Sequence, residues 1–167
     1  MKPAKPLIVD SFKRLRPSSV LDLGCGDCKF SKKFIDNGIK VIGIDKEKLA
    51  ESSGSFKFIQ RDILDYNFSE NFDLVFAIGI LHFFKKHDAE RIIKKVQTQT
   101  INRGYNFFMC MSEKEKYADG VHFYTNKEVL NKLYLGWEII HNTECLSKKH
   151  GEEGHKHKLI FFLARKK

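Results

Sequence analysis

Eight residues, Val20-Leu21-Asp22-Leu23-Gly24-Cys25-Gly26-Asp27, constrain this chain more than any others. An apolar run ends in a glycine turn, and an acidic residue sits inside the run itself. Glycines let backbone amides approach a ligand that larger side chains would hold off. The buried-looking Asp22 adds a second demand, a positive group on the ligand near the turn. A ligand with a carboxylate and an ammonium on one carbon meets both conditions. The competing reading of Asp22 is a strand or turn acid with no ligand.

Around this turn the apolar pattern alternates between strand and helix. Leu7, Ile8, Phe12 and Leu15 recur at helical spacing, which predicts an opening helix from Pro6 to Arg16 that Pro17 ends. Residues 19–23 read as a first strand, Cys28 to Asn37 as a helix stopped by Gly38, and Lys40 to Ile44 as a second strand ending at Asp45. A short helix is expected over 46–52, then a third strand over 56–60. Residues 72–78 are nearly continuous in apolar character, as in a strand buried on both faces. A helix over 89–100 and a fifth strand over 105–111 follow. Thr125 and Glu128 have the form of a capping box for a helix reaching Tyr134. Residues 137–145 and 158–164 are two final strands with no helix between them, so they must pair as a hairpin.

This order predicts an α/β fold in a single domain, 1–167, with a mostly parallel sheet and an antiparallel last strand. With 42% apolar residues and 15 Phe, 167 residues suffice for a sizeable core. No apolar run reaches the length of a membrane span, and the N-terminus lacks the apolar stretch and cleavage site of a signal peptide. The expected compartment is the cytoplasm. Four cysteines then read as free thiols. Cys25 and Cys28 form a C-x-x-C pair, but it falls within the glycine turn and no second pair follows. The net charge of +9 fits an anionic or RNA partner. Its spread along the chain, apart from Arg165-Lys166-Lys167, favours a Lys-rich surface.

Open α/β sheets bind ligands at the carboxyl ends of their strands. Asp22, Asp45 and Asp62 all fall there. An acid about 20 residues past the glycine loop, here Asp45, is where a ribose hydroxyl pair is held. An acid one strand further on, here Asp62, can accept from an adenine amino group; its simpler role is to cap a turn. A nicotinamide-binding unit shares the loop and Asp45. However, Lys29 replaces its third glycine, and Asp22 would repel a pyrophosphate.

Val20-Leu21-Asp22-Leu23-Gly24-Cys25-Gly26, Ile44-Asp45, Gln60-Arg61-Asp62-Ile63 and Phe72-Asp73-Leu74-Val75 resemble the successive motifs of class I S-adenosylmethionine-dependent methyltransferases. The likeness covers nearly the whole chain, including the terminal hairpin. It departs at Cys28, where many members carry a third glycine. The resemblance implies a Rossmann-like seven-stranded sheet in the order 3-2-1-4-5-7-6, strand seven antiparallel, with helices on both faces. It also implies S-adenosylmethionine as cofactor. Asp22, Gly24 and Gly26 would line its methionine portion and Asp45 its ribose. Lys46 would lie by the adenine, with Asp62 and the Ile63 amide contacting it. Ala77 and Ile78, with Gly79, would pass beneath the sulfonium.

The acceptor is less constrained. Nucleobase amino-methyltransferases commonly carry an Asn/Asp-Pro-Pro-Tyr/Phe stretch after strand four; here the segment is Ala77-Ile78-Gly79-Ile80-Leu81-His82. That favours a small-molecule acceptor, with an RNA or protein acceptor, or a catalytically inert cofactor-binding partner subunit, as the alternatives. The short loops resemble those of tellurite-resistance-type and thiol-directed methyltransferases. His82 either faces the substrate or braces its loop. The turn from His150 to His157 lies on the cofactor side. Its histidines, His155 and His157 among them, contact substrate, stand in a solvated turn, or hold a metal. No metal site is assigned. His122, Tyr117 and Tyr124, on the loop after strand five, are placed to cover the site or simply to pack.

Overall fold

The computed structural model describes residues 2–67, 69–149 and 154–167. Its elements are β1 (Lys2–Pro3), α1 (Ala4–Arg14), β2 (Ser19–Leu23), α2 (Lys32–Ile35), β3 (Lys40–Asp45), β4 (Phe56–Gln60), β5 (Phe72–Ile78), α3 (Lys86–Gln99), β6 (Thr100–Met111), α4 (Lys127–Leu133), β7 (Glu138–Leu146) and β8 (Lys158–Arg165). One sheet runs through all the strands in the order β1-β7-β8-β6-β5-β2-β3-β4. The seven strands read from the sequence are β2 to β8, and they stand in the expected order. Only β8 runs antiparallel to its neighbours, β6 and β7. The extra strand is β1, two residues pairing parallel with Cys145 and Leu146 at the sheet edge.

Strand alternation divides the core into two layers. Val20 faces a layer built with Ala4, Ile8 and Phe12 of α1, Leu15 just beyond it, and Phe34 of α2. Leu21 and Leu23 face the other, which contains Ala89, Ile92, Ile93 and Val96 of α3 and Leu130 of α4. Helices therefore cover both faces. Asp22 shares the Val20 side, where Phe12 meets Phe34, Phe76 and Phe107 at ring separations of 5.1, 5.2 and 5.2 Å. At the opposite rim of the sheet, the Asp73 carboxylate ties β5 to β2 by accepting from the backbone and hydroxyl groups of Ser18 and Ser19.

Several local expectations shift. The opening helix starts and ends two residues early, at Ala4 and Arg14. Pro6 then falls within its first turn, where a missing N–H costs nothing. The helix expected from Cys28 begins only at Lys32. Cys28 has φ +61°, a left-handed conformation that helices exclude, so 28–31 are turn. Residues 46–52 form no helix. Asp45 Oδ1 accepts from Glu47 N–H at 3.0 Å, and such a side-chain turn competes with helical bonding. Helix α3 begins three residues earlier than expected. Strand β6 begins five residues early and carries an irregularity against β5 between Phe72 and Leu74. The cap of α4 is Asn126, whose Oδ1 accepts from Val129 N–H at 2.9 Å. Thr125 lies one position earlier, bridged to Ser112 with its N–H donating to Met111 O at 3.0 Å, so the chain turns into the helix only at Asn126.

Candidate functional site

The carboxyl ends of β2, β3, β4 and β5 line one rim of the sheet. At its centre the glycine turn leaves β2 and is tied to β3: the Gly24 and Cys25 amides both donate to Ile44 O, at 2.8 and 3.1 Å. Gly24 has φ +69°, and an added Cβ would lie 2.6 Å from Ile80 Cγ1. Glycine is thus required twice over, by the backbone conformation and by the side chain above it. Gly26, at φ +51°, faces open space, since a Cβ there would meet nothing within 4 Å.

Asp22 is 3% exposed. It lies between Phe76 on β5 and Gly43 on β3 in the sheet register, and Ser31 Oγ donates to its Oδ2 at 2.5 Å. Burial pushes its carboxyl up from 3.8 to about 7; the Ser31 bond works against this shift and the charge on Asp45 adds to it. A carboxyl in that state gains from a cationic neighbour, which restores the ionised form. Asp45 closes the other side of the turn. Its Oδ2 accepts the Gly26 N–H at 2.9 Å and its Oδ1 that of Glu47. A carboxylate offers about four acceptor directions, so roughly two remain for a ligand hydroxyl pair.

The next acid, Asp62, uses Oδ1 to accept from Leu64 N–H at 2.8 Å, capping the turn after β4. Ile63 is buried in the core, and Lys46 is exposed, its carbonyl accepting from Gln60 Nε2 at 3.3 Å. Ala77 is buried in the sheet between Leu23 and Phe108. Ile78 is half-buried and leads into Gly79, whose N–H donates to Met109 O at 3.0 Å. The turn cysteines are buried free thiols. Burial, then the charge on Asp22, pushes Cys25 far above the ordinary thiol range. Burial also leads in raising Cys28, to about 11. Neither is a ready nucleophile.

Farther along the rim three segments converge. His82 lies on a 3-10 turn, Leu81–Phe83, directly after β5. Its Nδ1 is buried with no hydrogen-bond partner among the described residues. Burial lowers its pKa, and the nearby imidazoles of His157 and His122 lower it further. The loop after β6 supplies His122 and Glu115. The hairpin between β7 and β8 supplies His155 and His157, whose rings are 5.0 Å apart. His157 Nδ1 lies 3.5 Å from Glu115 Oε1, and Ser147 closes the hairpin by bonding to the His157 backbone. An open hollow of about 310 Å³ adjoins them, lined by Glu115, Tyr117 and His155 with Lys114, Lys116, Lys156 and Lys158. His150, Gly151, Glu152 and Glu153 of the expected turn lie outside the described residues. Among the described residues no group of three or more His, Cys, Asp or Glu side chains is placed to hold a metal ion.

Sequence reasoning reached Asp22 and Asp45 but missed their supports. Ser31 gave no signal because the segment read as helix. Ile80 is an ordinary apolar residue until the fold lays it over Gly24. Glu115 and Asp119 carried no signal in the sequence.

The family described as tellurite resistance protein TehB matches residues 1–164. The chain belongs to this family. One TehB relative is a probable S-adenosyl-L-methionine-dependent methyltransferase from Haemophilus influenzae (strain 10810), 27% identical over 180 residues that cover 96% of this chain and 61% of the relative. The crystal structure of TehB from Haemophilus influenzae superposes with a TM-score of 0.80 at 26% identity, over 97% of this chain and 62% of that one. The chain thus spans about three-fifths of the length of these TehB relatives. The N-methyltransferase NodS from Bradyrhizobium japonicum WM9, solved in complex with S-adenosyl-L-homocysteine, shares the fold at a TM-score of 0.75 and 16% identity, over 97% of this chain and 84% of that one. The TehB-family fold is therefore the Rossmann-like methyltransferase sheet.

Proposed function

We propose that this TehB-family chain binds S-adenosylmethionine and transfers a methyl group to a small-molecule nucleophile. The observation that carries the reading is the pairing of the buried Asp22 carboxyl with the side-chain-free turn at Gly26, braced by Asp45. The residues present fit the cofactor. Asp22 would supply the anion that an α-ammonium needs, and Gly26, with open space where a side chain would stand, would let the ligand close to the turn. Asp45 retains free acceptor directions for ribose hydroxyls. Asp62, the Ile63 amide and Lys46 would hold the adenine, and Ala77 and Ile78 would line the methionine end. When bound, the cofactor supplies an activated methyl group on a positively charged sulfur.

The chain's own contribution is chiefly to hold and orient the reactants and to exclude water. His82, half-buried and kept neutral by its surroundings, can receive a proton near the reacting centre. His155 and His157 border the acceptor side, with Glu115 holding His157. The hollow there is of small-molecule size. No helix of the described residues is long and apolar enough to cross a membrane, and we place the activity in the cytoplasm.

Calorimetry with S-adenosylmethionine and S-adenosylhomocysteine tests the reading. Binding should be lost or strongly weakened in Asp22→Ala and Asp45→Ala. Absence of binding by the unaltered protein, or undiminished binding by both variants, refutes it. A donor-consumption screen across thiols, amines, oxyanions and RNA then identifies the acceptor.

A further inference from the structure

The loop after β6 carries a second feature that the sequence did not disclose. His122 Nδ1 lies 2.5 Å from Asp119 Oδ2. The other oxygen, Oδ1, accepts the backbone N–H groups of Val121 and His122, each at 2.9 Å. The carboxylate is therefore fixed by the loop backbone, and it fixes the imidazole in turn.

The loop is itself clamped to the segment after β5. His122 forms an antiparallel bridge with Lys85. Lys86 N–H donates to Val121 O and Phe123 N–H to Phe84 O, both at 3.0 Å, and the buried Phe123 ring anchors the loop in the core. This clamp sets His122 within electrostatic reach of His82. An imidazole whose Nδ1–H points at a carboxylate has Nε2 as its acceptor. The His122 side chain is 43% exposed, so the ring has room to meet a substrate.

Resting on the methyltransferase reading, we propose that Asp119 and His122 form a general-base dyad. It would serve an acceptor that arrives protonated: an amine, a phenol or a thiol. As the acceptor's lone pair bonds to the methyl carbon, the carbon–sulfur bond breaks and its electron pair stays on sulfur. The acceptor's proton passes to His122 Nε2. Asp119 balances the charge on the imidazolium that results, against the positive charge of Lys85 across the bridge, with the His82 imidazole after β5 and the His157 imidazole on the hairpin facing the same space. Asp119 is the positioning residue; His122 touches the substrate.

Two measurements test this. In ligand-free protein at pH 8, nitrogen-15 imidazole spectra should show His122 as the Nδ1–H tautomer, and Asp119→Asn should return it to the ordinary Nε2–H form. A wild-type Nε2–H tautomer overturns the dyad without any methyl donor present. Turnover of benzylamine, phenol and 2-mercaptoethanol should then be compared in wild type and His122→Gln. The variant should lower kcat roughly 100- to 1,000-fold and remove the acidic limb of the pH profile, with donor affinity held within about twofold. Equal turnover by both proteins overturns the proposal, as does a donor-binding wild type that methylates none of the three. Failure to bind the donor at all is a separate outcome: it refutes the methyltransferase reading, while the tautomer still reports on the dyad.

Discussion

Replacing Asp22 by Asn should make the ligand-free protein more stable and the cofactor bind less well. The buried carboxyl is raised from 3.8 to about 7, with desolvation the leading cause. Above 3.8 the unfolded chain has lost this proton while the folded chain still holds it. The unfolded state then binds fewer protons, and stability falls as pH rises from 3.8 to about 7, beyond which the deficit is constant. At pH 8 the ionised, buried carboxyl costs about 4 kcal/mol relative to a group that does not titrate. Asn has nearly the same volume, and its carbonyl oxygen can take the Ser31 hydroxyl bond. Asp22→Asn should therefore stabilise the protein by up to about 4 kcal/mol at pH 8, roughly 2–4 °C in Tm per kcal/mol for a chain of this size. Near pH 4 the gain should vanish, because the wild-type carboxyl is protonated in the folded state and half-protonated in the unfolded one. Urea denaturation at the two pH values, without ligand, reads the difference. Calorimetry under matched conditions should show weaker cofactor binding by the variant. An equal stability difference at both pH values, or a variant less stable at pH 8, refutes the argument that Asp22 is held uncharged by burial.

Other consequences follow from the same rim and its opposite edge. Since Asp22 must ionise to pair with an ammonium, cofactor binding by the wild type near pH 7 should release a fraction of a proton, seen as a calorimetric enthalpy that varies with buffer ionisation enthalpy; in Asp22→Asn that dependence should disappear. Gly24→Ala should lower both Tm and cofactor affinity, with at least about 1 kcal/mol from the left-handed backbone alone; adding Ile80→Ala should relieve only the part of the clash made by Cγ1 and Cδ1, since Ile80 Cβ itself would lie 2.9 Å from the new Cβ, and should leave the backbone cost in place. The double replacement of His155 and His157 by Ala should reduce turnover much more than donor affinity; unchanged turnover removes both from the mechanism. Asp73→Ala, at the far rim, should cost about 1–2 kcal/mol in urea denaturation by freeing Ser18 and Ser19. Burial raises that carboxyl, but the Ser18 and Ser19 bonds outweigh it and leave it below 3.8. Its contribution is therefore present above 3.8 and is lost as pH falls through the lowered value.

Strand positions and the acids flanking the glycine turn were legible because they rest on local pattern; the strand order came from the family resemblance. A buried parallel strand such as 72–78 announces itself as an apolar run, and the acids stand at fixed offsets from strand ends. What failed was local geometry with close competitors. Cys28 looked like a helix start until its left-handed backbone excluded one. Asp45 spent an oxygen on Glu47 and so displaced the helix expected after it. The cap of α4 moved one residue, to Asn126, because the chain is still paired beside β6 at Thr125 and turns only after it.

By itself the sequence determined a doubly covered parallel sheet and a glycine turn flanked by two acids, because period, breakers and spacing act over a few residues. Only the tertiary structure decided how those acids differ. Asp22 is sealed beside Phe76 under Ser31 and holds its proton, whereas Asp45 is braced by backbone amides and partly open. Only the tertiary structure, too, gathered His82, His122 and His157 from loops far apart in the chain. No local pattern encodes that meeting; it arises because parallel strands deliver their following loops to one shared rim.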